Sequence, residues 1–533
     1  NSTTDRIGCI DTDGDGFSDK YDADPNDPNV MTVGSFTRNK VGGKPMIDSH
    51  FAAASYGSGD MSVDENAGFI GLIYTSGLGQ IAVKRYDGST NEWKSITQNI
   101  PGWAAPEWRF DPAHIPLKVD DSGTLHYVIG DTYYQWDGET KSSHTFSVKD
   151  DWSNLESDLD IEGDHIYVTR MDESWFLECK EWVGSPGAPK LYYDHSSDGG
   201  KTWASTITKS ASGLSGHSVA AGKNGDAHIV YTIMKQGAIK DCNWATVDDL
   251  MTLTSSSGLY YMEVKDGATS FPSAEKLTNS SQRFISRDPH IEFHSSTDSV
   301  YILIGEISLD VKKVQRYTFT GRPYQERYES INANGLHFFG KCAGDACSST
   351  YPVNTWYSQK IANGHAGSSY DLVVSDVGVP HAVYKSTSSQ VAYVSISGYD
   401  FSTTPPTIEW ETRFVSGTVV SGVGLALYDE SPIIIGAYGN KWNHNVYLFS
   451  WDDDGDGLSN WEDYCPYAFG LSTDEKRGCP DLDGDGDTDQ VEGTEDESGV
   501  FGLPSLSLFS TLMMVVVAAA SIHRREQKKD EER

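Results

Sequence analysis

The chain reads as an all-β protein, a β-propeller of about seven four-stranded blades, and three observations predict it. A hairpin pattern recurs along the middle of the sequence, and strand candidates three and four often follow it. The recurrence, roughly every 40 to 65 residues, is the period of propeller blades and not of helical repeats. The clearest copy is HSVAAGKNGDAHIVY, His217 to Tyr231. Here an alternating run, Ser218 to Ala221, meets a polar turn closed by Gly225, and a second strand, Ala227 to Tyr231, follows.

The other copies fall on both sides. Upstream stand DMSVDENAGFIGLIY (Asp60 to Tyr74), HIPLKVDDSGTLHYV with His114, Gly123 and His126, and LDIEGDHIYV (Leu159 to Val168). Downstream stand HIEFHSSTDSVYIL (His290 to Leu303), YDLVVSDVGVPHAVY with Tyr370, Gly378 and His381, and VGLALYDESPIIIG (Val423 to Gly436). Third and fourth strands are expected in QIAVKRYDG then EWKSIT, LYYDHSSDGG then KTWASTIT, and LYYMEVKDG then SAEKLT. The propeller is expected over residues 33–451. With 533 residues, 38% of them hydrophobic and 11% aromatic, the chain has ample material for a packed β core. Its net charge of −36 argues against a nucleic-acid partner, because a polyphosphate would be repelled.

Acidic loops lie at both ends. Asp11, Asp13, Asp15, Asp19 and Asp22 occupy loop positions one, three, five, nine and twelve, Gly16 sits at six, and the Phe17 carbonyl falls at seven. A calcium ion wants six or more oxygens at once, and alternate acidic residues converge on it only where glycine permits the sharp turn. The spacing returns in Asp452, Asp454, Asp456, Leu458, Asn460 and Asp463, and again in Asp481, Asp483, Asp485, Asp487, Asp489 and Glu492. Ca2+ is therefore the expected cofactor, held by residues 1–30 and 452–493. Between the last two loops, YCPYAFGLSTDEKRGCP (Tyr464 to Pro480) resembles the linker of thrombospondin type 3 calcium repeats. That resemblance implies segments held by metal and disulfides rather than by a core, which loosen by carboxylate repulsion when metal is removed.

Cysteine placement suits an oxidising compartment. Cys465 and Cys479 flank the linker, Cys342 and Cys347 bracket a short loop, and Cys179 and Cys242 lie in long insertions of neighbouring repeats, so three disulfides are expected. Cys9 stands two residues before its acidic loop, as Cys479 does before Asp481, and by that analogy its partner belongs to an upstream repeat. The chain begins at Asn1 without an initiator Met, as a processed form or fragment would.

Ser196 to Trp203, SSDGGKTW, matches the Asp-box and so resembles the sialidase-like propellers. The resemblance implies a structural turn between outer strands, with Asp198 hydrogen-bonding backbone amides and Trp203 packed into the blade. YDGSTNEW, Tyr86 to Trp93, is a degenerate copy. Sialidases also use three arginines, a Tyr and Glu pair and an Asp acid. No Arg-Ile-Pro signature stands near the propeller start, and no third arginine joins Arg109 and Arg287. The resemblance therefore carries the fold and not the activity.

What does recur is Arg109, Asp111 and His114 in RFDPAHI and Arg287, Asp288 and His290 in RDPHI, each entering the first strand of a unit. With His217 and Tyr370 at similar register, these residues are candidates to gather at one rim of the channel. Such a rim would bind an anionic sugar or supply base and charge-neutraliser to a polysaccharide lyase. The competing reading has them capping strands and filling inter-blade hydrogen bonds. The His126, His228 and His381 series falls inside second strands, where packing is expected.

Beyond an acidic linker, residues 494–504, the run SLSLFSTLMMVVVAAASI at 505–522 carries no charge and is long enough to span a bilayer core. Arg524, Arg525, Lys528 and Lys529 follow in the tail 523–533 and place it on the cytoplasmic side. FGLP, the apolar run and Arg-Arg together are similar to archaeal C-terminal sorting signals, which are cleaved and replaced by a lipid. The expectation is a cell-surface protein whose propeller meets extracellular glycans or proteins, with cleavage of an extracellular polysaccharide, by a hydrolase or lyase, as the alternative. Binding is favoured because no paired carboxylates can be assigned from the sequence.

Overall fold

The computed structural model describes residues 35–40, 60–64, 69–77, 80–87, 92–99, 115–147, 155–172, 189–211, 213–233, 258–278, 289–317, 323–342, 355–363, 370–375, 378–386, 390–400, 407–415, 419–428, 431–440 and 443–452. The acidic loops at 11–22 and 481–492, the loop 452–463 beyond Asp452, the apolar run 505–522 and every cysteine but Cys342 lie outside them. Among the described residues no helix is long and apolar enough to cross a membrane.

Among the described residues, twenty-eight strands form seven four-stranded antiparallel sheets. Sheet I joins β2 (Asp60–Asp64), β3 (Phe69–Gly77), β4 (Gln80–Asp87) and β5 (Glu92–Asn99). Sheet II joins β6 (Leu117–Val119), β7 (Leu125–Ile129), β8 (Thr132–Trp136) and β9 (Lys141–Thr145). Sheet III holds β10 (Leu155–Glu162), β11 (His165–Asp172), β12 (Lys190–Ser196) and β13 (Ile207–Ser210). In sheet IV are β14 (Leu214–Ala221), β15 (Ala227–Ile233), β16 (Gly258–Val264) and β17 (Glu275–Lys276). Sheet V has β18 (His290–His294), β19 (Ser299–Tyr317), β20 (Pro323–Cys342) and β21 (Tyr357–Ala362). Sheet VI has β22 (Tyr370–Val374), β23 (Pro380–Lys385), β24 (Val391–Asp400) and β25 (Thr407–Val415). Sheet VII takes β26 (Val419–Tyr428), β27 (Ser431–Asn440) and β28 (Asn443–Asp452) from one end of the chain and β1 (Ser35–Lys40) from the other.

The first strands β2, β6, β10, β14, β18, β22 and β26 each neighbour the next, and β26 neighbours β2, so they close a ring around a channel. This is an all-β propeller. Apolar side chains between adjacent sheets hold it: Val219, Ile229 and Met262 of sheet IV pack with Tyr167, Leu191 and Tyr193 of sheet III, while Ala220, Val230 and Tyr261 on the opposite face pack with Ile291, Ile302 and Phe339 of sheet V. Burial of both faces of the middle strands, β7, β8, β12 and β15 among them, explains why these read as apolar runs with few breaks, whereas the outer strands β9 and β13 are polar and largely exposed. β19 and β20 continue as a two-stranded ribbon past the register shift at Glu306/Ile307, from Ile307↔Ala333 to Tyr317↔Pro323.

The repeated turn has a physical reason. Gly123, Gly225 and Gly378 hold φ of 76°, 85° and 85°, where a side chain is strained. The histidine three residues on is buried and bonded to a tyrosine of the third strand: His126 Nδ1 to Tyr133 at 2.6 Å, His228 Nδ1 to Tyr261 at 2.7 Å, His381 Nδ1 to Tyr393 at 2.5 Å. The turn fixes the register, and the pair ties strand two to strand three.

The Asp-box segment joins β12 to β13 as the sequence implies. Asp198 accepts the Thr202 backbone N–H at 2.8 Å and hydroxyls from Thr202 and Ser196 at 2.6 and 2.9 Å. Trp203 stacks on His144 and meets Tyr133 and Phe146 edge-on, all in sheet II or just after it. One expectation shifts: KTWASTIT is not a strand throughout, because its first residues complete this turn, and β13 begins only at Ile207.

Candidate functional site

The inner strands leave one edge unpaired, so their backbone N–H groups need acceptors from elsewhere. Acidic side chains of the neighbouring strand supply them. Asp158 and Asp160 of β10 accept the N–H of Val219 and Ala221 in β14, at 2.8 and 2.7 Å. Asp371 of β22 accepts the N–H of Leu425 in β26 at 2.8 Å. Between them Ser218 donates its hydroxyl to Asp158 at 2.6 Å and lies 3.3 Å from the Ile291 N–H of β18, which it accepts.

A second set of charges crosses the channel. Lys118 of β6 places Nζ 3.1 Å from Asp160 Oδ1 and 3.5 Å from Glu292 Oε1 of β18, so one ammonium ties sheets II, III and V. Beside it His290 Nδ1 lies 3.1 Å from Asp371 Oδ1. Side-chain exposures of 28% for Lys118 and 21% for Glu292 leave both in reach of solvent in the channel. Burial pushes Glu292 well above the ordinary carboxylate range; Lys118 opposes the shift, and the charges of Asp160, Asp371 and Asp158 add to it. Burial also pushes Asp371 upward, but the His290 hydrogen bond and edge amides outweigh it and leave the group more acidic than an ordinary Asp. The channel thus holds one carboxyl inclined to keep its proton and another inclined to stay ionised.

Three of the rim candidates are described. His290 and Tyr370 come together, their rings 5.4 Å apart and edge-on. Tyr370 is buried, and its hydroxyl accepts the Gly305 N–H of sheet V at 3.0 Å. His217 is buried with Nδ1 3.4 Å from Thr169 Oγ1 of sheet III. His217 and Tyr370 share a register, each three residues before the partner of a second-strand histidine: Ala220↔His228 and Val373↔His381. His290 stands one residue off. Val219 and Ile291 are the equivalent donors to the preceding sheet, so His290 occupies the place of Ser218, and a one-residue offset turns a side chain to the other face. Arg109, Asp111, His114, Arg287 and Asp288 lie outside the described residues.

The sequence reading missed Lys118, Asp158, Asp160, Glu292 and Asp371. The available signal was charge inside a first strand: a single Lys, Glu or Asp in LKV, HIEFH and YDLVV, and alternating carboxylates in LESDLDIE. Among the described residues no group of three or more His, Cys, Asp and Glu side chains is placed to hold a metal ion.

No family model matches the chain. No curated protein matches it either. Among solved structures it is similar to the WD40 domain of SCAP from fission yeast, at 10% identity over 78% of this chain and 98% of that one, with a TM-score of 0.33. It is similar to a Trypanosoma rangeli sialidase in complex with the inhibitor DANA, at 9% identity over 74% and 55%, TM-score 0.35. SapL1 lectin in complex with alpha methyl fucoside matches at 10% identity over 74% and 92%, TM-score 0.33.

Proposed function

We propose that this is a cell-surface propeller that binds extracellular glycans or proteins without turning them over. The observation that carries the reading is the mutual pairing of the channel charges. Lys118 is divided between Asp160 and Glu292, His290 is engaged by Asp371, and Asp158, Asp160 and Asp371 are occupied by edge amides. Groups committed to one another form a fixed polar surface, which suits recognition better than proton transfer. Calcium at the acidic loops 11–22, 452–463 and 481–492 and a membrane span at 505–522 complete the proposal and rest on the sequence patterns alone.

A second reading has a specific basis. Asp160 and Glu292 flank one ammonium, and Glu292 is inclined to remain protonated, as a general acid in glycoside cleavage must be. The deciding experiment incubates the protein with a panel of neutral and anionic polysaccharides and measures retention together with new reducing or unsaturated ends. Retention without new ends supports recognition. New ends that vanish in Glu292→Gln would establish the enzyme instead, and neither retention nor new ends would remove both.

A further inference from the structure

Where sheet III faces the β14–β15 turn of sheet IV, two imidazoles meet. His165 opens β11 and His195 lies near the end of β12, with His165 Nδ1 3.0 Å from His195 Nε2 and the rings stacked 5.3 Å apart at 11°. Tyr167 and Tyr193 stack on His195 at 4.9 and 6.4 Å. The next sheet closes over the pair. Asp266, just past β16, sets Oδ1 3.8 Å from His195 Nδ1, and its backbone N–H is held by Asp226 Oδ1 at 3.0 Å. Gly225 sits so close that an added Cβ would fall 3.0 Å from both His165 Cε1 and Asp266 Cγ. The turn of sheet IV thus leaves no room for a side chain between itself and the imidazole pair.

We propose that His165 and His195 form an acid-sensitive latch between sheets III and IV, closed while the two imidazoles share at most one proton and parted by a second. With one proton, an N–H of one ring points at a bare nitrogen of the other, and His195 Nδ1–H faces Asp266. With two protons both facing nitrogens are donors carrying like charge, and no acceptor lies between them. The surrounding groups do not relieve this. Tyr167 and Tyr193 are buried phenols that stay neutral. Asp226 and Glu263 are engaged by Lys265, at 2.7 and 2.5 Å, and Asp160 of β10 is engaged by Lys118. Glu162 on β10 is itself held toward the neutral form by burial, with the charges of Asp160 and Asp121 adding to the shift and His165 opposing it. Of the carboxylates just named, Asp266 pairs with the imidazoles, from the far side of His195, and Glu162 draws on His165 only once it has given up its own proton. In agreement, burial first and His165 second lower the proton affinity of His195, with Asp266 opposing.

The sign follows. A histidine whose folded affinity is depressed contributes stability that is full above its unfolded pKa of about 6.5 and is lost as the pH falls below it. The loss here is local to one inter-sheet seam, whereas general acid unfolding acts everywhere. The test is hydrogen exchange of the full chain in detergent, corrected for intrinsic rates, between pH 7.5 and 5. Protection across residues 222–227 and 163–167 should fall about tenfold further, one unit of 1.4 kcal/mol, than at the equivalent sheet VI turn around Gly378, whose buried His381 matches His228 of sheet IV and so cancels the acid loss common to both turns. His165→Gln and His195→Gln should flatten that fall. Asp266→Asn, which leaves both rings in place, should move it to lower pH. Equal protection at both pH values, an equally large fall at the sheet VI turn, or a fall unchanged in the variants would each overturn the latch.

Discussion

Among single residues, the buried ion pair of sheet III has the clearest energetic consequence. Arg170 and Asp194 are 0% and 1% exposed, and the carboxylate takes Nη2 at 2.6 Å and Nε at 3.1 Å while accepting the Thr206 hydroxyl. The guanidinium also lies 4.4 Å from the Phe146 ring of the neighbouring sheet. Removing the anion alone strands a buried cation, so Asp194→Ala should cost about 3–5 kcal/mol, read from denaturant midpoints. The double change Arg170→Met with Asp194→Leu should cost much less, because no charge is left behind. His228 and His381 give a pH counterpart. Burial holds each at about 4, so each binds its proton later in the folded state than in the unfolded chain. Their contribution is present above pH 6.5 and lost as the pH falls to 4, about 3 kcal/mol apiece. His381→Phe should therefore flatten the loss of stability between pH 7 and 4.5, and an unchanged slope would show that this imidazole is not the group being titrated.

At the scale of elements, hairpins and turns were legible because their determinants are local. A glycine at positive φ and a histidine three residues on recur in the sequence as they recur in space, and SSDGGKTW marks one outer turn by itself. A related turn was missed: Asp137 accepts the N–H of Glu139 and Thr140 and the Thr140 hydroxyl, but its DGET is one residue shorter than the Asp198 pattern. The channel was not legible. Lys118 and Glu292 are 174 residues apart, and only ring closure makes them neighbours. His290 shows the same limit at finer grain, since counting back from the turn placed it one residue out of register. The Asp-box turn offers a test of how sheets are joined. Trp203 fills a gap lined by residues of sheet II, so Trp203→Ala should cost about 3 kcal/mol and weaken the seam between sheets II and III. Denaturation monitored by exchange in β8 and β13 would locate that weakening; a loss confined to β13 would mean the indole serves only its own turn.

For the whole molecule the decisive feature is how the ring is closed. Sheet VII is assembled from both ends of the chain, with β1 paired antiparallel to β28 from Ser35↔Asp452 to Lys40↔Tyr447. Without β1, sheet VII keeps three strands and the ring loses its noncovalent clasp. Asp452 is at once the last residue of β28 and position one of the second acidic loop, while Ser35, its partner, follows the first acidic loop by thirteen residues. Under the proposed calcium chemistry, an ion that takes Asp452 as ligand fixes the end of β28 and with it the start of β1. Metal binding to the folded state alone stabilises by about 2.7 kcal/mol at a hundredfold excess over Kd. Calcium should therefore raise the melting temperature of the propeller itself, not merely order its flanks. Asp454→Ala, which lies beyond β28, should abolish most of that increment while leaving the melting temperature in chelator unchanged. Deleting residues 1–40 should lower the melting temperature with or without calcium. If calcium binds, as titration calorimetry would report, yet the propeller melts at the same temperature in chelator and in millimolar calcium, the loops are independent of the clasp and ring closure rests on β1 and β28 alone.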